Sequence, residues 1–536
     1  MAFDIPYRSA AIALITIYLL SSCAQRVPIT GGEKDIAPPR LVKSEPDTFS
    51  THFNAEHIRL EFDEYVNLRN TSKNVLITPV LRYQPNIVAN GKRVNVRNLD
   101  DSLWPNTTYV IEFNEAVIDI TENNEAKGLR YVFSTGDYVD SLAVMGQVKD
   151  AYTLEPVEDV FIFLYSNTDD SIPYKEAPRY MGRTDKLGVF HVRNMKAGMY
   201  KVFFCSDDNG NYLFDRPNEQ IDFLDTLLDL TADTVPRIFG HLFTEDKKKN
   251  FLKSYGSVDP YSFYLAYNTK VDSLSFFGED GSDINRNFRP EYNKDRDSVV
   301  YWTLDSGRLG DTIQFMVQAD TGYMDTLSIA FPESRTLGVL KPKNNLKSRV
   351  LKLGEDLHLE SAYPLVINDT SGIILMKDST QIACLLTGSK AGRELLVRAA
   401  WKAESNYVLI FDSASLSDIT GRIIDSTTLS FHTLKEQEYG SLEINIDIQA
   451  GDGLLLIMNE AGKVLEEVVL SGVNSHSFPY MDPGTYRLKY IVDDNANGKW
   501  DRGNYLKGKH AEKVFIYQGS ITIRSNWDQV IEWKIE

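Results

Sequence analysis

The chain of 536 residues has few of the residues that build disulfide scaffolds and metal centres. Its three cysteines cannot form a disulfide-dense fold, and their odd number leaves at least one for another role. The eight histidines provide few candidates for metal ligation or acid–base catalysis. Glycine and proline are not enriched, at 33 and 20 residues, while 43% of the residues are hydrophobic. A collagen-like or disordered chain is therefore excluded, and folded domains are expected.

Positive charge is also in deficit. The chain has 57 Lys and Arg residues against 75 Asp and Glu residues, which gives a formal net charge of −18. Nucleic acid partners are not expected, because their phosphates require a basic surface. At roughly 150 residues per domain, the length alone predicts three or four domains.

Familiar catalytic motifs are absent from the sequence. It contains no G-x-S-x-G nucleophile elbow, H-E-x-x-H zinc motif, glycine-rich phosphate loop or C-x-x-C pair. Cys205 and Cys384 lie in strand-like stretches and are expected to be small core residues. Trp104 and Trp401 recur at matching positions of a repeat, which favours a core role over a sugar platform. We expect no enzyme, although sequence spacing does not test carboxylate pairs for glycoside hydrolysis.

The first 23 residues contain a sorting signal. An apolar run from Ala10 to Leu20 has the length of a signal-peptide core and is too short for a mature transmembrane helix. The run ends in Leu20-Ser21-Ser22-Cys23, which resembles the bacterial lipobox. The resemblance implies that residues 1–22 are a lipoprotein signal peptide and that Cys23 is acylated, for example with palmitate. The alternative is an ordinary signal peptide with a chance cysteine.

Two or three acyl chains bury enough CH₂ groups, at ~0.8 kcal/mol each, to anchor a protein to a bilayer. Residues 23–39 are then the lipidated cysteine and a tether that contains three prolines and two glycines. Ala24 stands where inner-membrane lipoproteins of enteric bacteria have aspartate, which favours the outer membrane. The acidic cluster typical of surface-exported lipoproteins is also missing, so the periplasmic and surface faces both stay open.

The rest of the chain is predicted to be all-β, as tandem β-sandwich domains after the lipoprotein signal peptide. Turn-forming clusters separate stretches in which apolar and polar residues alternate, as they do in half-buried strands. The clearest stretches are Ile58/Leu60/Phe62, Tyr109/Ile111/Phe113, Leu442/Ile444/Ile446 and Ile531/Trp533/Ile535. No amphipathic helix stands out.

An internal repeat places the domains. Tyr109 precedes Phe133 by 24 residues, and Tyr407 precedes Phe431 by the same distance. An Asp-Ile-Thr sequence lies between them in both copies, at Asp119 and at Asp418. We interpret each copy as a core strand, a loop anchored by the aspartate and a closing strand. The unit resembles the bacterial Ig-like domain of S-layer proteins (SbsA-type), at 40–137 and, more loosely, at 341–436.

A second kind of module follows each Ig-like unit. Its best-matched feature is a Met-x-x-Gly-x-Tyr sequence at Met195–Tyr200 and again at Met481–Tyr486. With the glycines and aromatic residues before it, the first copy resembles the carboxypeptidase regulatory-like, or prealbumin-like, sandwich. The resemblance implies domains at 141–236 and 438–536. Residues 237–340 match neither module and are predicted to form another sandwich of six or seven strands.

Each prealbumin-like module continues into an acidic loop, which we single out as a calcium candidate. The four side chains are Asp207, Asn209, Asn211 and Asp215 in the first copy and Asp493, Asn495, Asn497 and Asp501 in the second. Oxygens at positions 1, 3, 5 and 9 are those that Ca²⁺ collects from a tight loop. Asn218 and Asn504 depart from the glutamate of an EF-hand, and Tyr212 replaces the glycine that Gly498 provides. The alternative is that these side chains only cap turns through their own backbone.

The lipobox, the tether and the chained modules together resemble Bacteroidota Ig-like domain-containing outer-membrane lipoproteins, and the stretch Pro28–Pro39 strengthens the resemblance. It implies a non-enzymatic, lipid-anchored protein-interaction scaffold whose partners are outer-membrane, periplasmic or surface proteins. We expect an accessory subunit of a complex that assembles or exports outer-membrane proteins, with no required cofactor. The alternatives are a glycan-binding or adhesive lipoprotein and an enzyme with its site in 237–340.

Overall fold

The computed structural model describes residues 35–99, 103–231, 234–245, 250–304, 312–320, 322–332, 337–388, 392–447, 452–472 and 474–535. The predicted signal peptide, Cys23 and most of the predicted tether lie outside these residues. Contacts divide the chain into two compact units, one formed by the residues up to Ser141 with Asn194–Lys196 and one by Leu142–Arg193 with Ala197–Glu536.

The described residues are almost entirely β-structure, as predicted. Their only α-helix is α1, Thr71–Asn74, and no helix among them is long and apolar enough to cross a membrane. Short 3₁₀ turns occur at Ile172–Tyr174, Asn285–Asn287, Thr370–Gly372, Glu436–Glu438 and Tyr505–Lys507. The strands fall into five groups, which we call modules 1 to 5.

Module 1 is a sandwich of nine strands. They are β1 (Leu41–Glu45), β2 (His57–Phe62), β3 (Val66–Leu68), β4 (Leu76–Thr78), β5 (Asn86–Asn90), β6 (Arg93–Arg97), β7 (Thr108–Glu112), β8 (Val117–Asp119) and β9 (Arg130–Ser134). The sheet orders are β1-β2-β6-β5, β4-β7-β9 and the pair β3-β8. The alternating side chains of β2 and β7 point into one core, where Ile58, Leu60 and Ile111 are fully buried.

Module 4 repeats this arrangement with one additional strand. Its strands are β25 (Lys343–Asn344), β26 (Leu357–Glu360), β27 (Leu365–Ile367), β28 (Ile373–Lys377), β29 (Thr380–Ile382), β30 (Leu385–Gly388), β31 (Glu394–Arg398), β32 (Asn406–Phe411), β33 (Leu416–Asp418) and β34 (Thr427–His432). The sheet orders are β25-β26-β31-β30, β29-β28-β32-β34 and the pair β27-β33. Each sheet has its counterpart in module 1.

The equal 24-residue spacing of the two repeats arises from cross-strand pairing. Tyr109 lies opposite Phe133, and Tyr407 lies opposite Phe431. The rings stack with centroid distances of 5.3 and 5.4 Å, respectively. Such pairs on one face of a sheet stabilise the pairing of the strands.

The prediction that both tryptophans lie in the core is correct only for Trp401. Trp401 packs edge-on against Tyr407 and Phe431, whereas 49% of the surface of Trp104 is exposed. The tyrosine hydroxyl accepts a hydrogen bond from the backbone N–H of Trp104 in module 1 and of Lys402 in module 4. Trp104 therefore corresponds to Lys402, and the similar sequences are shifted by one residue in the folded modules.

The strands of module 2 form one eight-stranded sheet. Its strands are β10 (Leu142–Asp150), β11 (Phe161–Tyr165), β12 (Tyr180–Arg183), β13 (Val189–Met195), β14 (Met199–Cys205), β15 (Gln220–Phe223), β16 (Leu228–Asp229) and β17 (Arg237–Thr244). The order is β12-β11-β14-β15-β17-β10-β13, with β16 on β14. The boundary predicted at residue 236 is wrong, because β17 pairs in parallel with β10 and completes this sheet.

Module 5 has the same succession of eight strands. They are β35 (Gly440–Asp447), β36 (Gly453–Asn459), β37 (Val464–Leu470), β38 (Ser475–Met481), β39 (Gly484–Val492), β40 (Val514–Ile516), β41 (Ile521–Ile523) and β42 (Asp528–Lys534). The last strand again pairs in parallel with the first. The sheets are β38-β35-β42 and β37-β36-β39-β40, with β41 on β39. The two modules therefore share their topology as well as the Gly-x-Tyr sequence.

The described residues of module 3 form seven strands, and the prediction is six or seven. They are β18 (Leu252–Asp259), β19 (Ser262–Tyr267), β20 (Leu274–Phe277), β21 (Phe288–Tyr292), β22 (Ser298–Thr303), β23 (Thr312–Ala319) and β24 (Met324–Ala330). Two sheets, β18-β19-β22-β21 and β20-β23-β24, enclose an aromatic core around Phe263, Phe276 and Phe315. No strand of this module pairs with a described strand of another module.

The aspartate of each Asp-Ile-Thr sequence anchors its loop, as predicted. The carboxylate of Asp119 is buried and accepts hydrogen bonds from the backbone N–H groups of Glu122, Asn123 and Asn124, at 2.6 to 3.0 Å. In module 4 the carboxylate of the buried Asp418 accepts a hydrogen bond from the backbone N–H of Thr420. Nε and Nη2 of Arg422 both donate to Oδ2 of the same carboxylate.

We expect Asp119→Ala to lower the free energy of unfolding of module 1 by about 1–3 kcal/mol, because three backbone N–H groups lose a charged acceptor. Amide hydrogen exchange of β7 to β9 at increasing urea concentration measures the change. The control is Asp47→Ala, which removes an exposed carboxylate of the same module. Equal stability of the two variants would contradict the anchoring role.

Candidate functional site

The four predicted side chains of the first acidic loop lie together. Oδ1 of Asp207 accepts a hydrogen bond from the backbone N–H of Gly210 at 2.8 Å, and its Oδ2 accepts from Tyr212 at 2.7 Å. The side-chain amide of Asn209 donates to one oxygen of Asp215 at 3.1 Å, and that of Asn211 donates to the other at 2.8 Å. The loop is thus closed by its own Asp and Asn residues.

The second acidic loop repeats these contacts. The carboxylate of Asp493 is buried and accepts hydrogen bonds from the backbone N–H groups of Asn497 at 3.0 Å and Gly498 at 2.7 Å. The side-chain amides of Asn495 and Asn497 both donate to Oδ2 of Asp501. The sequence match between the loops therefore reflects a common three-dimensional structure.

The tyrosine that replaces glycine in the first loop does not change the backbone. Tyr212 has φ = 59° and its counterpart Gly498 has φ = 72°, so both adopt the left-handed conformation. This conformation is costly for a bulky residue. Tyr212 packs edge-on against Phe161, with 5.8 Å between the ring centroids, which provides a compensating contact.

A buried glutamate that the sequence analysis missed holds each loop. Glu219 accepts hydrogen bonds from the backbone N–H groups of Asp208 and Asp215, and Glu512 accepts from those of Asp494 and Asp501. Burial raises the pKa of both glutamates, and the hydrogen bonds from the backbone oppose this shift. The pair could not be aligned from sequence, because Glu219 follows its loop by four residues and Glu512 by eleven.

The geometry of the loops is compatible with both interpretations, turn capping and calcium binding. The hydrogen bonds are those of the turn-capping alternative, since carboxylate oxygens accept from the loop backbone. The same contacts gather two carboxylates and two amides, a donor set suited to Ca²⁺ once each amide turns its oxygen inward. No group of three or more His, Cys, Asp or Glu side chains within the described ranges is arranged to hold a metal ion. Calcium binding therefore stays a prediction.

The second acidic loop borders an interface between modules 2 and 5. Trp500, within this loop, packs against Tyr152 of module 2 with 5.0 Å between the ring centroids. Nζ of Lys489 donates a hydrogen bond to the carbonyl of Tyr152 at 2.8 Å and lies 3.8 Å from the centre of its ring. Burial lowers the pKa of Lys489. The loop is therefore both a candidate ion site and part of a module contact.

The centre of the interface is Tyr505, which is 6% exposed. Its ring contacts Phe203 and Phe223 edge-on, each at 5.0 Å, and its hydroxyl donates to the carbonyl of Asp170 at 2.8 Å. Its backbone N–H donates to Glu245 at 2.6 Å. The close approach of module 5 to module 2 requires a glycine two residues before Tyr505, because a Cβ atom on Gly503 would lie 2.4 Å from the ring of Phe243.

A charged pair flanks this aromatic contact. The ring nitrogens Nδ1 and Nε2 of His510 lie 3.0 Å from carboxylate oxygens of Asp222 and Asp225, respectively, and its ring stacks on Phe223. The two carboxylates raise the pKa of His510 to about 9. His241 also faces Asp222, but burial lowers its pKa. Near neutral pH, His510 is therefore protonated and forms ion pairs with Asp222 and Asp225.

The two cysteines among the described residues, Cys205 and Cys384, are not arranged as reactive groups. Cys205 is buried, Cys384 is half-buried, and both are free thiols. Burial raises the pKa of each thiol, which disfavours the nucleophilic thiolate. The prediction of a small core residue is confirmed for Cys205, and Cys384 packs at the edge of the core of module 4. Cys23, the predicted lipidation site, lies outside the described residues.

If the second loop binds calcium, chelation with EGTA will lower the melting temperature of the full chain, because the ion offsets the repulsion between Asp493 and Asp501. The double variant Asp493→Ala/Asp501→Ala is expected to lose this calcium-dependent shift. The matching variant Asp207→Ala/Asp215→Ala tests the first loop separately. A melting temperature that is the same with calcium and with chelator would leave only the turn-capping role.

The pairing of His510 predicts a specific pH dependence. Its pKa of about 9 in the folded protein exceeds the ordinary value of 6.5, so the folded state binds more protons between these values. The stabilisation by this pair is complete below about pH 6.5 and is lost as the pH rises through about 9. The difference in stability between the natural chain and His510→Gln should shrink over this range in thermal unfolding. The exposed His358→Gln is the control, and a difference that does not change with pH would contradict the pairing.

Comparison with known proteins identifies the family of module 1. Residues 35–135 match the family described as bacterial Ig-like domain, so module 1 is such a domain. No curated protein matches the chain. Among solved structures, the major pilin subunit BcpA of Bacillus cereus is 9% identical, with 74% of this chain and 99% of the pilin covered and a TM-score of 0.15. The S-layer protein rSbsC is 9% identical, with 96% and 69% covered and a TM-score of 0.13. The chain is a tandem β-sandwich protein with a bacterial Ig-like domain.

Proposed function

We propose that this chain is a non-enzymatic outer-membrane lipoprotein that acts as a protein-interaction scaffold, as an accessory subunit of an envelope complex that assembles or exports outer-membrane proteins. The observation that carries the proposal is the set of side-chain contacts that joins modules 2 to 5. A chain of sandwiches held in fixed positions presents its edges and grooves to a partner in a fixed arrangement.

A second set of contacts supports the same proposal. Arg393 of module 4 forms a 2.9 Å ion pair with Glu291 of module 3, and the indole N–H of Trp302 donates to the other oxygen of Glu291 at 2.9 Å. Tyr363 packs edge-on against Trp302 with 5.8 Å between the ring centroids. These groups are half-buried or buried, so the ion pair is less screened by water than a fully exposed one.

An enzyme with its site in residues 237–340 stays the alternative to this proposal. That alternative requires carboxylates with raised pKa in a deep pocket of residues 237–340. In this region, hydrogen bonds from Ser282 lower the pKa of Asp280. Its side chain lies in an exposed turn, so this shift reflects a local turn contact.

The test is purification of the full chain from native membranes in mild detergent, followed by mass spectrometry. We expect a stable outer-membrane protein to co-purify, because a scaffold holds its partner through large surfaces. Cys23→Ser is expected to move the chain from the membrane to the soluble fraction, because it removes the acylated thiol.

Two outcomes would overturn the proposal. A chain that has no stable partner is not a scaffold subunit. A chain that purifies alone and is retained on polysaccharide columns is the glycan-binding alternative.

A further inference from the structure

Module 4 contains an apolar groove beside a strand edge that is left open. The groove has a volume of about 330 Å³, which lies at the lower end of the range for ligand sites. Its floor is made by side chains of the core, Leu340, Leu359, Phe411 and Ile424, each at most 3% exposed. One wall is the segment 339–344 and the other is the beginning of β34.

The outer edge of β34 is unpaired over most of its length. The preceding segment of the chain forms a parallel bridge to Ile424 through Leu340, and another to His432 through Val350. Between these two bridges it leaves β34 and pairs with β26 instead, through Lys343 and Asn344. Over Thr427–His432, β34 therefore pairs in a ladder with β32 alone among the described strands.

The same edge is covered in module 1, which shows what fits there. Residues 48–53 run along β9, with Ser50 bridged in parallel to Phe133 and with Phe53 packed on the ring of Phe133 at 4.0 Å. The N–H of Phe49 donates to the carbonyl of Val132, and the N–H of Ser134 donates to the carbonyl of Ser50 at 2.9 Å. Module 4 repeats the second contact, from the N–H of His432 to the carbonyl of Arg349 at 3.0 Å, so the two modules differ along the part of the edge that precedes it. The cover is thus an extended segment, parallel to the strand, that places an aromatic side chain on the core.

Exposure of the strand differs between the modules accordingly. Tyr131 and Val132 of β9 are fully buried. Their counterparts across the same pairing register are Leu429, which is half-buried, and Ser430, which is exposed. An open strand edge above a core is a site where an extended peptide adds as a further strand.

The charge of the groove wall identifies the chemistry of such a peptide. The stretch 341–352 contains Lys341, Lys343, Lys347, Arg349 and Lys352 and no acidic residue, in a chain with a net charge of −18. The first four are exposed, and no ion pair joins them to a described residue. Lys341 lines the groove itself, opposite Asp425. A complementary partner carries negative charge along this wall.

We propose that module 4 binds an extended acidic segment of a partner protein, which adds as a strand to the open edge of β34 and inserts an apolar side chain into the groove. Hydrogen bonds from the peptide backbone to β34 provide affinity, the groove selects the apolar side chain, and the basic wall selects acidic flanking residues. This site rests on the proposed scaffold function and assigns it a specific contact surface.

The test uses the full chain in detergent and a fluorescent synthetic peptide in which glutamate alternates with valine around a central phenylalanine. We expect saturable binding that weakens with salt, and slower amide exchange in 427–430 when the peptide is bound. The variant Lys341→Glu/Lys343→Glu should weaken binding about tenfold or more, because it reverses the charge of the wall. Ser426→Trp should do the same by filling the groove.

The controls separate strand addition from charge attraction and from misfolding. Lys463→Glu changes an exposed lysine of module 5 and should leave binding unchanged. A peptide with lysine in place of glutamate, and one with N-methylated alternate amides, should both fail to bind. Equal binding by the N-methylated peptide, or by both groove variants with unchanged melting temperatures, would overturn the proposal.

The outcomes distinguish this site from the scaffold function. If the membrane partner co-purifies with Ser426→Trp as well as with the natural chain and the peptide does not bind, the groove proposal is wrong and the scaffold function stands. If the peptide binds as expected but no partner co-purifies, the groove stands and the proposed complex is wrong.

Discussion

The arrangement of the second unit depends on a contact between two modules that are far apart in the sequence. Tyr505 of module 5 is buried against module 2. Its hydroxyl bonds to Asp170, 335 residues earlier, and its ring lies between Phe203 and Phe223. The entropic cost of closing so long a loop grows slowly, by about 0.6 kcal/mol for each doubling of length. Full burial of one large apolar side chain contributes roughly 1.5–3 kcal/mol. Burial of Tyr505 therefore offsets part of the cost of closing the loop, and modules 3 and 4 lie within the closed loop.

The contact between modules 2 and 5 joins two copies of one fold whose surfaces have diverged. Across the shared pairing of strands, Phe203 in module 2 corresponds to Lys489 in module 5. Phe203 receives the ring of Tyr505, and Lys489 reaches the carbonyl of Tyr152. Duplication thus supplied two similar sheets, and different side chains at one position made them complementary rather than interchangeable.

The sequence was sufficient for features that depend on local patterns. Alternation predicted strands such as β2 and β42, and the repeat from Tyr109 to Phe133 predicted a core strand and a closing strand, which the structure pairs with each other. Features that depend on long-range pairing were not accessible. Neither the parallel return of β17 beside β10 nor the glutamates under the acidic loops follows from spacing, because both involve partners at separations that differ between the copies. The exposed position of Trp104 was missed for a related reason, since an insertion of one residue shifts the alignment.

Modules 1 and 4 together distinguish the contacts that a module needs to fold from the surface that it presents to a partner. The stacked pair of Tyr407 and Phe431 in module 4 matches its counterpart in module 1 to within 0.1 Å, so the core does not require the part of the covering segment that lies beside Val132 in module 1. A cover that the core does not require can be lost without loss of the fold. Its loss leaves unpaired backbone groups along β34, and soluble proteins commonly protect such edges with charged residues. The run of basic residues from Lys341 to Lys352 provides that protection, and it restricts pairing to strands of opposite charge.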